Sequence, residues 1–188
     1  MKPGEGQSHI PNISRRRFLI TSAKAALGLL ICPPLNSWAM KPKKHLLSFF
    51  HTHTEECLEI AHTPGLCSTS VQKKIKMFLR DFRTGEAHCI DPALLDIICR
   101  IQSATGSQGT IEVISGYRSP RTNTFLRRFS SGVASKSLHM KGQAVDIRIT
   151  DLPTLQLRKT AADLRTGGVG YYAESDFVHL DTGPFRTW

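Results

Sequence analysis

No apolar run in this 188-residue chain approaches the roughly 20 residues that a membrane-spanning helix requires. The run Ala25–Ile31 is the obvious candidate, and it is far too short. None of the five cysteines forms a Cys-x-x-Cys pair, so the commonest structural zinc signature is missing. Aromatic residues make up only 7% and never interleave with basic residues in a stripe, which leaves no readable nucleic-acid surface. No internal repeat occurs. What remains is a chain about one domain long, with 25 basic against 15 acidic residues and ample length to bury a core.

The first 39 residues read as an address for export. Ser14-Arg15-Arg16-Arg17-Phe18-Leu19 resembles the twin-arginine signal, the short apolar run follows it, and Ser37-Trp38-Ala39 offers a small-x-small cleavage site. Ile31 precedes Cys32 where a lipidation signal carries a small residue. Cleavage after Ala39 removes five basic residues and one acidic residue, leaving a net charge of +6. That balance suits an anionic cell wall or membrane surface, without stable membrane insertion of the mature chain. Four cysteines remain, an even number in an oxidising compartment, and sequence-local pairing predicts Cys57–Cys67 and Cys89–Cys99 disulfides.

Residues 40–188 are expected to form a single domain. Leu46–Thr54 and Glu56–Ile60 read as a hairpin turning near Thr54-Glu55. Ser70–Phe82 has the helical period, with Val71, Ile75, Phe78, Leu79 and Phe82 apolar. Asp91-Pro92 opens a helix whose stripe of Leu94, Leu95, Ile98 and Ile101 runs to Gly106. A strand over Thr110–Ser115 leads to Gly116-Tyr117-Arg118-Ser119-Pro120 and a helix over Pro120–Phe129. Gly142–Ile149 alternates as a strand. Pro153–Leu164 reads as a helix stopped by Gly167-Gly168, and Val169–Tyr172 and Phe177–Asp181 as two final strands. Helices early and strands late predict an α+β fold, a small and mainly antiparallel sheet flanked by helices.

The chemistry concentrates in Ser137-Leu-His139-Met-Lys-Gly-Gln-Ala-Val-Asp146 and Asp176-Phe-Val-His179. Alternation puts Asp146 on the face away from Val145 and Ile147, where a carboxylate is either solvated, paired with Arg148 or bound to an ion. Phe177, His179 and Asp181 share one strand face, so adjacent strands can set Asp146 beside His179, with His139 arriving from the preceding loop. Ligands of types His, Asp and His leave the fourth tetrahedral position of Zn²⁺ open, as a catalytic site needs. Asp176 is the candidate to move the proton, provided its turn folds back; otherwise it is a turn residue.

Ser137, His139, Gly142, Ala144 and Asp146 together resemble the Ser-x-His-x-x-Gly-x-Ala-x-Asp motif of the zinc D-Ala-D-Ala metallopeptidases, within the hedgehog/DD-peptidase superfamily. Ser115–Pro120 is similar to that family's upstream arginine motif, and Asp176-x-x-His179 to its acid-x-x-His closing motif. Gly167–Tyr171 and Phe177–Gly183 resemble the twin-arginine-exported murein endopeptidase branch. The likeness spans about Leu46 to Trp188. It implies zinc on His139, Asp146 and His179, and Asp176 as general base. Arg118 would steady a substrate carbonyl or oxyanion, while Ser137 would touch either the substrate or its own loop. Glu55-Glu56 departs from the Gly-Glu usual in this hairpin, and His51 and His53 fall outside the implied zinc core. Peptidoglycan is the implied substrate, and the periplasm or cell envelope the implied location. Cross-link cleavage stands first, a D,D- or L,D-carboxypeptidase second, and a non-catalytic wall-binding module third.

Overall fold

The computed structural model describes residues 43–66, 68–130 and 132–188. The export signal expected over residues 1–39 lies outside them, as does the boundary at residue 40. The element order is β1 (His45–His51), β2 (Cys57–His62), α1 (Thr69–Phe78), α2 (Pro92–Thr105), β3 (Ile111–Ser115) and α3 (Pro120–Arg127). A short 3-10 helix (Leu138–Lys141) follows, then β4 (Ala144–Ile149), α4 (Thr154–Leu164), β5 (Gly168–Tyr172), β6 (Phe177–Asp181) and β7 (Arg186–Thr187). The fold is α+β as expected, but the sheet is neither small nor purely antiparallel. Its seven strands run in the order β2-β1-β3-β4-β6-β5-β7, with β1–β3 and β5–β7 parallel. The β1–β3 pairing follows from α1 and α2, which carry the chain across between them. β7 is two exposed residues long and has no apolar alternation to announce it.

The core forms between the sheet and the helices α1, α2 and α4. Leu94, Leu95, Ile98 and Ile101 of α2 are buried against Ile111, Val113, Ile147 and Val178 of the strands and Leu157 of α4. Truncating one of these to alanine costs about 2–5 kcal/mol. Val145, Ile147 and Ile149 supply the apolar face of β4, which leaves Asp146 on the other face. No helix of the described residues is long and apolar enough to cross a membrane.

Local signals explain most boundaries. Asp91 caps α2 by accepting from Ala93 N, Pro92 takes the first turn, and Gly106 ends the helix at φ +73°. Ser119 caps α3 by accepting from Thr122 N. Several ends differ from the expectation by one to four residues, and the largest difference is at the end of α1. α1 stops at Phe78, because the Leu79 carbonyl accepts from Tyr117 N at 2.7 Å and the chain then turns through Asp81. α4 ends at Leu164 as expected, but the residue that stops it is Arg165, in the left-handed region, and not the glycines. Gly167 and Gly168 serve close approach: a Cβ on either would collide with Asp181.

The expected Cys89–Cys99 disulfide is absent. Cys99 is a buried free thiol in α2, its pKa pushed up to about 12 by burial, and Cys89 is an exposed thiol. Cys99 lies inside α2 and in the core, whereas Cys89 precedes the helix and is exposed. Cys57 is an exposed free thiol, and its expected partner Cys67 lies outside the described residues. In the hairpin turn Glu55 occupies the left-handed region (φ +57°), and Glu56 instead forms a two-pronged ion pair with Arg80.

Candidate metal centre and active-site cleft

β4 and β6 pair antiparallel with Asp146 directly opposite His179. The 3-10 helix Leu138–Lys141 delivers His139 to the same point, and Gly142 at φ +65° turns the chain from that helix into β4. A Cβ on Gly142 would lie 2.0 Å from the Cys89 carbonyl oxygen, so the turn needs glycine twice over. His179 Nδ1 lies 2.9 Å from Asp146 Oδ1, and His139 Nε2 lies 3.1 Å from His179 Nδ1 and 3.3 Å from Asp146 Oδ1. One donor atom from each of the three residues falls within 4.8 Å of the others.

The outer nitrogens fix what the inner ones present. His139 Nδ1 is 2.8 Å from the Gly116 carbonyl, which can only accept, so the hydrogen sits on Nδ1 and the Nε2 lone pair faces Asp146. His179 Nε2 donates in the same way to Asp181 Oδ2 at 3.0 Å, which frees Nδ1. Two imidazole lone pairs and a carboxylate thus converge on one buried point, and only a positive charge satisfies all three. A proton answers this in part: burial opposes it, but Asp146 and Asp181 outweigh burial and push the His179 pKa up to about 9. Burial likewise opposes charge on Asp146, yet the two imidazoles hold its carboxyl well below the usual range. A divalent cation with nitrogen and oxygen preferences fits this donor set, and second partners on both imidazoles are what metal-ligating histidines normally have.

The cluster floors a cleft of about 510 Å³, whose walls include Arg118, Ser137, Tyr172, Phe177, Arg186 and Trp188. Arg118 is partly buried, with Nη2 3.9 Å from Asp146 Oδ2, Nη1 3.4 Å from Asn123 Oδ1, and Nε without a partner among the described residues. Burial lowers its pKa and Asp146 raises it, and a guanidinium so far from neutrality stays cationic. It therefore brings spare donors into the cleft. Ser137 is buried in the lining of the same cleft and makes no side-chain cap.

Asp176 is not brought to this point. Its carboxylate accepts from Thr154 Oγ1 at 2.5 Å in a separate groove with Glu112, Arg148 and Asp151. Asp146 is the only carboxylate among the described residues lining the cleft. The strand period that joins Phe177, His179 and Asp181 excludes residue 176, and its turn does not fold back. His51 is also apart: it is buried between Phe78 and Phe82, with His53 stacked on Phe82.

Two supporting residues escaped the sequence reading. Asp181 is fully buried and receives His179, the Gly168 and Gly183 amides and Arg186. Its position two residues beyond His179 on one strand face was the available signal. Asp81 is buried beneath the Arg118 turn, where Oδ2 accepts from Ser119 N and Oδ1 from Arg83 N. No local pattern marks it.

A peptidase family model described as Peptidoglycan L,D-endopeptidase MepK matches residues 39–188. The chain belongs to this family. Among curated relatives of this peptidase, the Escherichia coli (strain K12) protein named Peptidoglycan L,D-endopeptidase MepK is 40% identical over 177 residues, covering 93% of this chain and 97% of that protein. The Haemophilus influenzae protein named Probable peptidoglycan L,D-endopeptidase MepK is 43% identical over 177 residues, covering 92% and 95%. The peptidase class expected from the motifs is thereby established.

Proposed function

We propose that this peptidase is a zinc-dependent murein endopeptidase that hydrolyses stem-peptide cross-links of peptidoglycan, with residues 40–188 as its single catalytic domain. The convergence of His139 Nε2, Asp146 Oδ1 and His179 Nδ1 at the floor of a cleft carries the reading. The names of the E. coli and H. influenzae relatives support an L,D bond in peptidoglycan over terminal trimming. The Arg15-Arg16 signal and the basic balance support twin-arginine export and work in the cell envelope.

Bound in this pocket, zinc supplies Lewis acidity toward a carbonyl and toward water. The residues do the rest. His139 and His179 are oriented by Gly116 and Asp181 so that Nε2 and Nδ1 face the pocket, and His179 gives up the proton it otherwise holds when a cation enters there. Arg118 places a fixed cation with free N–H groups beside Asp146, suited to the oxygen where negative charge grows during amide attack. Ser137, which also lines the cleft, offers a hydroxyl to the peptide. Proton transfer through Asp176, which the motif implies, requires its carboxylate to exchange Thr154 for the cleft.

Digestion of purified sacculi, with and without chelator, followed by muropeptide separation tests the reading. Cross-linked dimers should fall, chelation should stop the loss, zinc should restore it, and His139→Ala should be inert. Shortened monomer stems with dimers intact would instead make the enzyme a carboxypeptidase.

A further inference from the structure

Tyr172, the last residue of β5, has a hydroxyl that nothing above employs. Its ring is half-buried and stacked on Phe177, with centroids 4.5 Å apart and planes 15° apart. The hydroxyl oxygen lies 3.2 Å from Trp188 Nε1. An indole N–H can only donate, so Tyr172 accepts, and the single phenolic hydrogen remains uncommitted to any described residue. Both rings line the cleft that holds Arg118 and the three converging donors.

The Trp188 side is built to hold this arrangement. Its backbone is tied to β5 through Trp188 N to Val169 O at 3.2 Å and Tyr171 N to Trp188 O at 3.0 Å. Its indole lies over Gly170, where a Cβ would come within 2.6 Å of the ring, and its centroid is 5.2 Å from that of His179. The absence of a side chain at Gly170 therefore lets one ring reach both the metal-site imidazole and the Tyr172 oxygen.

We infer that Tyr172 is a substrate-contacting hydrogen-bond donor, its hydroxyl oriented by Trp188 so that the free hydrogen goes to a carbonyl oxygen of the bound peptide. This rests on the peptidase reading of the cleft, and it adds a neutral donor on the wall formed by β5 and Trp188. Trp188 acts as a positioning residue through that hydroxyl.

Three zinc-loaded variants and the wild type decide it, using a purified cross-linked muropeptide dimer for turnover and a monomeric tetrapeptide muropeptide for binding. Tyr172→Phe keeps the stack on Phe177 and removes the donor, together with the exposed acceptor of the Trp188 indole N–H. It should bind the monomer about 3- to 10-fold more weakly, the size of one neutral hydrogen bond, and lose at least that much kcat/KM. Zinc affinity and Tm should be unchanged. Trp188→Phe keeps a ring and removes the N–H, and Gly170→Ala displaces the indole with both side chains present; each should give a smaller loss in the same direction. A Tyr172→Phe enzyme equal to wild type in both binding and turnover overturns the inference while leaving the peptidase reading intact. A wild type that neither cleaves the dimer nor binds the monomer overturns both.

Discussion

His179 Nε2 donates to Asp181 Oδ2 across 3.0 Å, and Asp181 is wholly buried. The same carboxylate takes the Gly168 and Gly183 amides and both Arg186 Nη atoms, so it cannot rotate away. Asp181 thus sets the tautomer and the ring plane of His179, a proposed metal ligand. Asp181→Asn keeps the shape but loses the charge, and it should weaken zinc binding by roughly 10- to 100-fold. Competition with a chromophoric chelator measures this directly; unchanged affinity would remove Asp181 from the metal site.

Asp81 makes the corresponding argument for the Arg118 turn. Burial works to raise its pKa, but hydrogen bonds from Thr122, Ser119 and Arg83 outweigh burial and hold the carboxyl below its ordinary value. A group depressed on folding stabilises fully above its unfolded pKa, and that contribution is lost as pH falls through the folded one. Asp81→Asn should cost about 1–3 kcal/mol at neutral pH. The gap to wild type in urea unfolding should then narrow as pH drops below ~3.9. Parallel acid limbs would show that the Asp81 charge is immaterial.

Much of this site was legible because Asp146 and His179 obey strand periodicity. Asp146 faces away from Val145 and Ile147, His179 shares a face with Asp181, and the observed register sets Asp146 and His179 opposite one another. β6 runs over Phe177–Asp181 as the pattern indicates. Periodicity reports a face within an element, and it says nothing about how a turn is steered. Asp176 depended on a turn, and Thr154 holds it elsewhere. Asp81, the α1 terminus and β7 depend on long-range backbone pairing, to Ser119, Tyr117 and β5 respectively, which leaves no spacing signal. The Cys89–Cys99 pairing fails for a related reason: nearness in sequence is not nearness in space, and α2 carries Cys99 into the core while Cys89 stays at the surface.

Arg118 separates turnover from metal binding. It stands 3.9 Å from Asp146, where its charge competes with a cation in the pocket, and its Nε has no described partner. Arg118→Ala should reduce kcat/KM for cross-link cleavage by about 10²- to 10³-fold, as loss of a donor to developing negative charge does. Zinc affinity should hold or rise, since a repelling charge has gone. Calorimetric zinc titration beside dimer-cleavage kinetics checks both, and a fall in metal affinity would mark Arg118 as a structural prop for Asp146.

Asp176 is where the motif and the geometry part company. The residue capping α4 is Pro153, which has no side-chain cap, and Thr154 begins the helix. A carboxylate bonded to Thr154 Oγ1 at that end meets the positive pole of the helix dipole. Asp176 also holds a left-handed backbone, φ +49°, a conformation that Asn and Asp tolerate better than most residues. Both facts describe a structural role, so Asp176→Asn should lower stability by about 0.3–1 kcal/mol through the lost charge. Cross-link cleavage should stay within roughly tenfold of wild type, and Thr154→Val should give a similar stability loss. A proton-transferring carboxylate behaves differently: its loss costs about 10²- to 10⁴-fold in rate with little change in Tm. That result would mean the Ala173–Asp176 turn swings its carboxylate off Thr154 and into the cleft during turnover, and Thr154→Val should then leave turnover intact or faster.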